Sequence, residues 1–274
     1  MRLAITSDLH YPVTPDEAIK QLVAEVRPFE PDLLVLAGDL GESLPGVESC
    51  LRFFHEIGFP VAVIPGNHDL FRSGGISSQR LWETRLPEAV RDANCTWLEA
   101  EAIIHEGIAV VGTIAWYDYS AADQSIQESR SSFAQNKGSF MLDAKKIDWP
   151  WSDWVFARQV GESFLEKLDE LETDPTVQQT VVVTHVPILE CQIPRRPNDR
   201  NWGFSNAYFG NLTLGKEVLK RRKVTHVISG HTHLAKDDFV KTSDSRAIRG
   251  MVVPHRLHQP GWIGLEIAGE PRVI

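Results

Sequence analysis

Five short motifs each place a residue able to hold a metal just behind a short apolar run. They are Asp8-Leu9-His10, Gly38-Asp39, Gly66-Asn67-His68-Asp69, Thr184-His185 and Gly230-His231-Thr232-His233. The runs before them are Leu3-Ala4-Ile5, Leu33-Leu34-Val35-Leu36, Val61-Ala62-Val63-Ile64, Val181-Val182-Val183 and Val227-Ile228. Strands that stop and deliver Asp, Asn or His into the next loop are how α/β folds build sites. All the donors are oxygens or imidazole nitrogens and none is a thiolate, which points to two transition-metal ions.

The elements that must position these donors alternate cleanly at first. A strand at 2–7 is followed by a helix at 16–26, where Ile19, Leu22, Val23 and Val26 fall at i, i+3, i+4 and i+7 between Pro15 and Pro28. A strand at 32–37, a helix at 46–57 ending at Gly58 and a strand at 60–64 follow. This β-α-β-α-β order predicts parallel pairing with right-handed crossovers. Further on, 78–92 reads as a helix, and 102–105 with 108–115 reads as a hairpin about Glu106-Gly107. Periodicity then fades from Trp116 to about 148, which predicts an excursion outside the sheet rather than a core element. A long amphipathic helix at 152–171 precedes the strand 180–184. After an irregular stretch at 187–209, a helix at 214–222 and a strand at 224–229 lead into the last motif. Late β-like runs at 247–253 and 262–267 suit a second sheet packed on the first.

The chain of 274 residues is long enough for one large domain with a small insert, and its 42% hydrophobic and 24% charged content is that of an ordinary globular protein. The net charge of −9 disfavours non-specific nucleic-acid binding but leaves a phosphate substrate open, because divalent metals reverse the local field. Cys50, Cys95 and Cys191 form no CxxC pair and suit reduced thiols in a cytoplasmic protein. Neither a signal peptide nor an apolar run of about 20 residues is visible, so no membrane span is expected.

The ordered set, Asp-x-His, Gly-Asp, Gly-Asn-His-Asp, a lone His and Gly-His-x-His, resembles the calcineurin-like metallophosphoesterase superfamily from Asp8 to His233. The resemblance implies a single domain over 1–274, built as a four-layer α/β/β/α sandwich of two mixed sheets flanked by helices, with an irregular insert near 116–150. It implies a dinuclear centre in which Asp39 bridges, since one carboxylate can hold two cations ~3.5–4 Å apart. Asp8, His10 and His233 would join it around one metal, and Asn67, His185 and His231 around the other. In an extended segment His231 and His233 would share a face and reach adjacent metals. Gly38, Gly66 and Gly230 would let the chain turn and approach closely.

The resemblance gives His68 a different part, as general acid to the leaving oxygen or as electrostatic stabiliser, with Asp69 orienting it, supporting the loop or capping a helix. The nucleophile would be a metal-bound hydroxide. The ligand set suits manganese first, with iron, zinc, cobalt or nickel compatible. Purple acid phosphatases carry a Tyr where this chain has Glu42, and the clamping arginines of eukaryotic protein Ser/Thr phosphatases have no counterpart at their usual places. The expectation is a phosphodiesterase acting on a nucleotide or other small phosphodiester. The alternatives are a phosphomonoesterase, including a protein-phosphatase-like one, and a non-catalytic scaffold. Trp116, Tyr117, Tyr119, Trp149, Trp151 and Trp154, or the group Trp202, Phe204, Tyr208 and Phe209, could stack a base or simply pack. Arg195, Arg196 or Arg200 could reach a phosphate or be solvated. His55, His105, His226, His255 and His258 read as structural or surface residues, with His255 and His258 nearest the cleft.

Overall fold

The computed structural model describes residues 1–256 and 258–268. Its strands are β1 (Arg2–Thr6), β2 (Leu33–Ala37), β3 (Val61–Ile64), β4 (Thr96–Trp97), β5 (Ile103–His105), β6 (Ile108–Thr113), β7 (Gln179–Thr184), β8 (Val224–Ser229), β9 (Lys236–Lys241), β10 (Ala247–Val252), β11 (His255–Arg256), β12 (Gln259–Pro260) and β13 (Trp262–Glu266). One sheet has the order β13-β1-β2-β3-β4, parallel except for β13. The other has the order β5-β6-β7-β8-β10-β9, parallel in its middle and antiparallel at both edges. Both sheets are therefore mixed, and β11 and β12 form a small separate ribbon.

Alternation along the strands sorts the apolar residues into layers. Leu3, Ile5, Val35 and Ile64 of the first sheet meet Val110, Val181, Val183 and Ile228 of the second in the central layer. Their neighbours Ala4, Leu34, Leu36 and Val63 face outward, against Ile19 and Leu22 of the helix Asp16–Val26 and Val47 and Leu51 of the helix Leu44–Leu51. On the far side Val111, Val182 and Val227 pack on Phe164 and Leu168 of the helix Asp153–Thr173 and on Leu214 and Val218 of the helix Leu212–Val218. The result is the expected α/β/β/α sandwich. The C-terminal ends of β1, β2, β3, β7 and β8 carry the five motifs to one edge of it.

Local departures from the expected elements have physical causes. The segment 78–92 is helical but not uniformly α. It runs Ser78–Arg80, then a π turn over Leu81–Arg85, then Leu86–Asp92, with the Leu86 amide donating to the Leu81 carbonyl. Pro87 has no N–H and cannot complete the i→i−4 ladder, so the frame shifts by one residue. The second helix stops at Leu51 and tightens into one 3₁₀ turn at Arg52–Phe54. β9 was missed because its Lys-Asp-Asp-Phe-Val-Lys sequence lacks an apolar face. It is a sheet edge, where charge guards against further pairing. β4 is two residues long, too short for any period.

The segment from Trp116 onward is the main correction. Trp116 and Tyr117 are fully buried, so its start is core and not an excursion. Short helices at Arg130–Asn136 and Asp143–Lys146 lie within it. Buried polar anchors tie it down. Asp153 accepts from Trp116 Nε1 at 2.8 Å, Tyr119 Oη at 2.6 Å and Lys137 Nζ at 2.7 Å. Lys137 also sits over the Trp116 and Tyr117 rings. Removing one member of a buried pair strands the other charge. Asp153→Ala should therefore cost about 3–5 kcal/mol, read from the urea midpoint. A loss under about 1 kcal/mol, the scale of a surface pair, would show that Lys137 finds water instead.

Candidate metal centre

Beyond the strands the loops keep pairing before they turn. The Asp8 amide donates to Gly38 O at 2.9 Å and the His10 amide to Asp39 O at 2.8 Å. The turns are sharp: Asp8, His10, Asp39, His231 and His233 all have positive φ, between 46° and 70°. That conformation is uncommon for residues with a Cβ and persists only where the surroundings enforce it. His231 is the centre of a three-residue turn closed by Thr232 N to Gly230 O at 2.8 Å. His231 and His233 thus reach different partners through a turn and not along an extended segment. Glycine is required where backbone meets donor. A Cβ on Gly66 would overlap Asp39 Oδ1 and the Asp39 amide, and one on Gly230 would overlap Ser7 Oγ and crowd Asp8 Oδ2.

Two clusters of donors result, meeting at Asp39. In the first, His233 Nε2 lies 3.2 Å from both Asp8 Oδ1 and His10 Nε2, and His10 Nε2 lies 3.7 Å from Asp39 Oδ2. In the second, Asn67 Oδ1 lies 3.1 Å from His185 Nε2 and 3.0 Å from His231 Nδ1, and Asp39 Oδ1 lies 3.4 Å from His185 Nε2. Asp39 turns one oxygen toward each cluster. The ligand atoms of Asp8, His10 and His233 all lie within 4.8 Å of one another, as do those of Asp8, Asp39 and His185. All seven residues come together, and only His233 has a substantially exposed side chain.

The imidazoles are oriented by acceptors behind them. His185 gives its Nδ1 hydrogen to Ala37 O at 2.9 Å and His231 its Nε2 hydrogen to Tyr208 O at 2.9 Å. A carbonyl only accepts, so the opposite nitrogens, His185 Nε2 and His231 Nδ1, face the centre. Asn67 Nδ2 donates to Asp143 Oδ1 at 3.0 Å, which fixes the amide with its oxygen inward. Burial, then the His185 charge, lowers His231 to about 4, so it is neutral. Its Nδ1 lone pair and the Asn67 carbonyl oxygen are then two acceptors at 3.0 Å with no hydrogen between them. A cation between them resolves this contact. The donor set therefore fits the two ions the sequence implies.

The other groups respond to the same field. Burial opposes charge on Asp39, but His185, His68 and His10 outweigh it and hold the carboxyl well below its usual range. Burial likewise opposes protonation of His185, yet Asp39 raises it to about 9. The centre collects positive charge, as protons when no metal is present.

His68 stands beside the clusters, its ring 4.7 Å from that of His10 and its Nε2 3.9 Å from Asp39 Oδ2. Its Nδ1 lies 2.9 Å from both oxygens of Glu42, and Glu42 Oε1 is also 3.0 Å from His10 Nδ1. Asp69 does not take the orienting part. It is buried and accepts from the Gly41 amide through Oδ1 and the Gly66 amide through Oδ2, both at 2.8 Å. It staples the second motif's loop to the third's, and Glu42 is the partner of His68. Sequence reasoning missed both Glu42's bridging and Asp143. The only signal was that Glu42 stands three residues after Asp39. Asp143 belongs to no motif.

Of the remaining candidates, Arg195 is clamped on Glu190, Ala121 O and Asn206, and Arg196 stacks on Trp202 at 3.5 Å. Arg200 is an exposed partner of Glu128 at 3.9 Å. His255 does lie beside the centre, its ring 4.4 Å from that of His233. His258 Nδ1 reaches Val13 O at 3.0 Å. His226 Nδ1 meets Thr225 Oγ1 within β8, away from the motifs.

The model of the calcineurin-like phosphoesterase family matches residues 1–235, and the chain belongs to that family of metallophosphoesterases, whose members use a dinuclear divalent metal centre to hydrolyse phosphoesters. Among solved structures, the phosphopantetheinyl hydrolase of Mycobacterium tuberculosis is similar over 95% of both chains, at 18% identity and a TM-score of 0.71. A dimetal phosphatase from Danio rerio is similar over 94% of this chain and 88% of its own, at 12% identity and a TM-score of 0.58. At these identities the likeness is one of fold. No curated protein matches the sequence. No helix among the described residues is long and apolar enough to cross a membrane.

Burial disfavours the His68 imidazolium, but Asp39 and then Glu42 raise it to about 9, while Glu42, opposed by burial and favoured by His10 and His68, falls to about 2. In metal-free protein the His68 contribution to stability is complete below the unfolded value of 6.5 and is lost as pH rises through about 9. Glu42 keeps its own contribution above 4.5, so it is constant across that window. Glu42→Gln should therefore melt below the parent at pH under 6.5, with the gap narrowing as pH rises from 6.5 through about 9, by calorimetry in EDTA. A gap unchanged across the window would detach Glu42 from His68.

Proposed function

We propose that the chain hydrolyses a small phosphodiester at a dinuclear transition-metal centre held by Asp8, His10, Asp39, Asn67, His185, His231 and His233. The observation that carries this is the convergence of His231 Nδ1 and His185 Nε2 on Asn67 Oδ1, at 3.0 and 3.1 Å, beside Asp39, which turns one oxygen toward each donor cluster. Two divalent ions, manganese first and iron, zinc, cobalt or nickel compatible, would supply an activated water and neutralise the phosphoryl oxygens. His68 gives the leaving oxygen its proton from Nε2, while Glu42 holds Nδ1 and keeps the ring charged.

The diester preference rests on what does not surround the centre. Arg195, Arg196 and Arg200, the arginines the sequence offers for a phosphate, are engaged elsewhere. With those arginines turned away, the single charge of a diester asks less of the site than a monoester dianion does. A required nucleobase has less support. Trp116 and Tyr117 are buried, and Trp154 is already flanked by Arg130 and Arg158 at 4.9 and 5.1 Å. Three free thiols suit a reducing cytoplasm.

Elemental analysis of protein made in manganese-supplemented medium should give about two ions per chain, and bis-p-nitrophenyl phosphate should be turned over faster than p-nitrophenyl phosphate. Faster monoester turnover would make it a phosphomonoesterase, possible protein substrates included. Two bound ions with no turnover of either would favour a scaffold, and trace metal only would remove the dinuclear reading. His68→Ala should keep its metals and lose about 10²–10⁴ in rate on poor leaving groups, and less on p-nitrophenyl esters. Equal losses on both would leave His68 without an acid role.

A further inference from the structure

The inward face of Asn67 is not set by its own motif. Its Nδ2 meets one partner, Asp143 Oδ1 at 3.0 Å, seventy-six residues away in the short helix Asp143–Lys146. Asp143 is 1% exposed, and its other oxygen accepts from Tyr117 Oη at 2.6 Å. Tyr117 is in turn fully buried and stacked on Trp116, which donates to Asp153. A chain of buried contacts, two hydrogen bonds and then a ring stack, thus runs from one donor of the second cluster to the anchored insert.

We propose that Asp143 is a positioning residue for the Asn67–His185–His231 metal site. A carboxylate accepts and never donates when ionised, so it admits only the amide nitrogen. Asn67 Oδ1 is thereby forced toward His185 Nε2 and His231 Nδ1. Without Asp143 the amide rotates freely, and half its orientations present hydrogens to the place where a cation belongs. The Asp8–His10–His233 cluster has no contact with Asp143 and does not depend on it. The insert therefore serves one metal and not the other. This inference rests on the dinuclear reading above, and its test separates the two.

The experiment is manganese titration by calorimetry on EDTA-stripped protein, with metal content after gel filtration as a second readout. The parent should bind about two ions per chain. Asp143→Ala should keep one site at parent affinity and weaken the other by about 10–100-fold, the usual loss when an outer-shell partner is removed. Asp143→Asn should restore the second site, since its oxygen can still accept from Asn67 while its amide donates to Tyr117. Tyr117→Phe should leave both sites intact, because it spares the Asn67 contact. Should Asp143→Ala not fold, as judged by circular dichroism, Asp143→Ser shortens the side chain out of reach while keeping a polar atom, and the same single-site loss is expected. Parent-like binding of two ions by Asp143→Ala or Asp143→Ser would overturn the inference, as would equal weakening of both sites. A parent that binds no manganese would instead fail the dinuclear reading itself.

Discussion

Two acceptors held 3.0 Å apart, His231 Nδ1 and Asn67 Oδ1, are what the rest of the molecule has to maintain. Left alone, lone pairs that face each other turn away. Here they cannot, because each is locked from behind: His231 by the Tyr208 carbonyl, Asn67 by the Asp143 carboxylate. Every large feature of the fold contributes to this. Two packed sheets bring five strand ends to one edge. Strained positive-φ residues bend the chain inward there, and Asp69 staples two of the loops together through the Gly41 and Gly66 amides. The strain is tolerated because the core beneath is rigid.

The same preorganisation explains the electrostatics. Asp8 and Asp39 are buried carboxylates, which burial alone would neutralise. They stay charged because histidines face them, and the histidines gain protons because the carboxylates stay charged. Protons and divalent ions therefore compete for one field. His231 is the exception. Burial, and then repulsion by His185, lower it to about 4, so it is neutral at neutral pH. His231 thus needs no deprotonation to present its nitrogen, whereas His10 and His185, raised by the carboxylates, must shed a proton first.

Much of this was legible in the sequence because motif and element coincide. Each ligand block follows a run such as Leu33-Leu34-Val35-Leu36, and a buried parallel strand has to be continuously apolar. Donor types and their order give the family for the same reason. What was not legible depends on contacts between distant segments. Nothing local marks Asp143 as the partner of Asn67, or Glu42 as the shared acceptor of His10 and His68. Trp116 and Tyr117 misled in the opposite direction. Weak periodicity around them suggested a segment outside the core, whereas their burial depends on Asp153, which accepts from Trp116 Nε1, on Asp143, which accepts from Tyr117 Oη, and on Lys137, whose ammonium lies against both ring faces. β9 escaped because an edge strand under selection against pairing looks like a loop.

A division of labour follows from where the supports come from. His185 presents Nε2 and His231 presents Nδ1, and in each case a backbone carbonyl decides which. Backbone acceptors come with the fold and survive substitution of side chains. Asn67 and His68 are instead oriented by side chains, Asp143 and Glu42, so single substitutions can alter them. His185 and His231 are thus set by backbone, while Asn67, His68 and, through the same Glu42, His10 are set by residues that loops and inserts can exchange. On a fold that hosts different phosphoesterases, Asp143 and Glu42 are where the site can be retuned without disturbing the backbone acceptors behind His185 and His231.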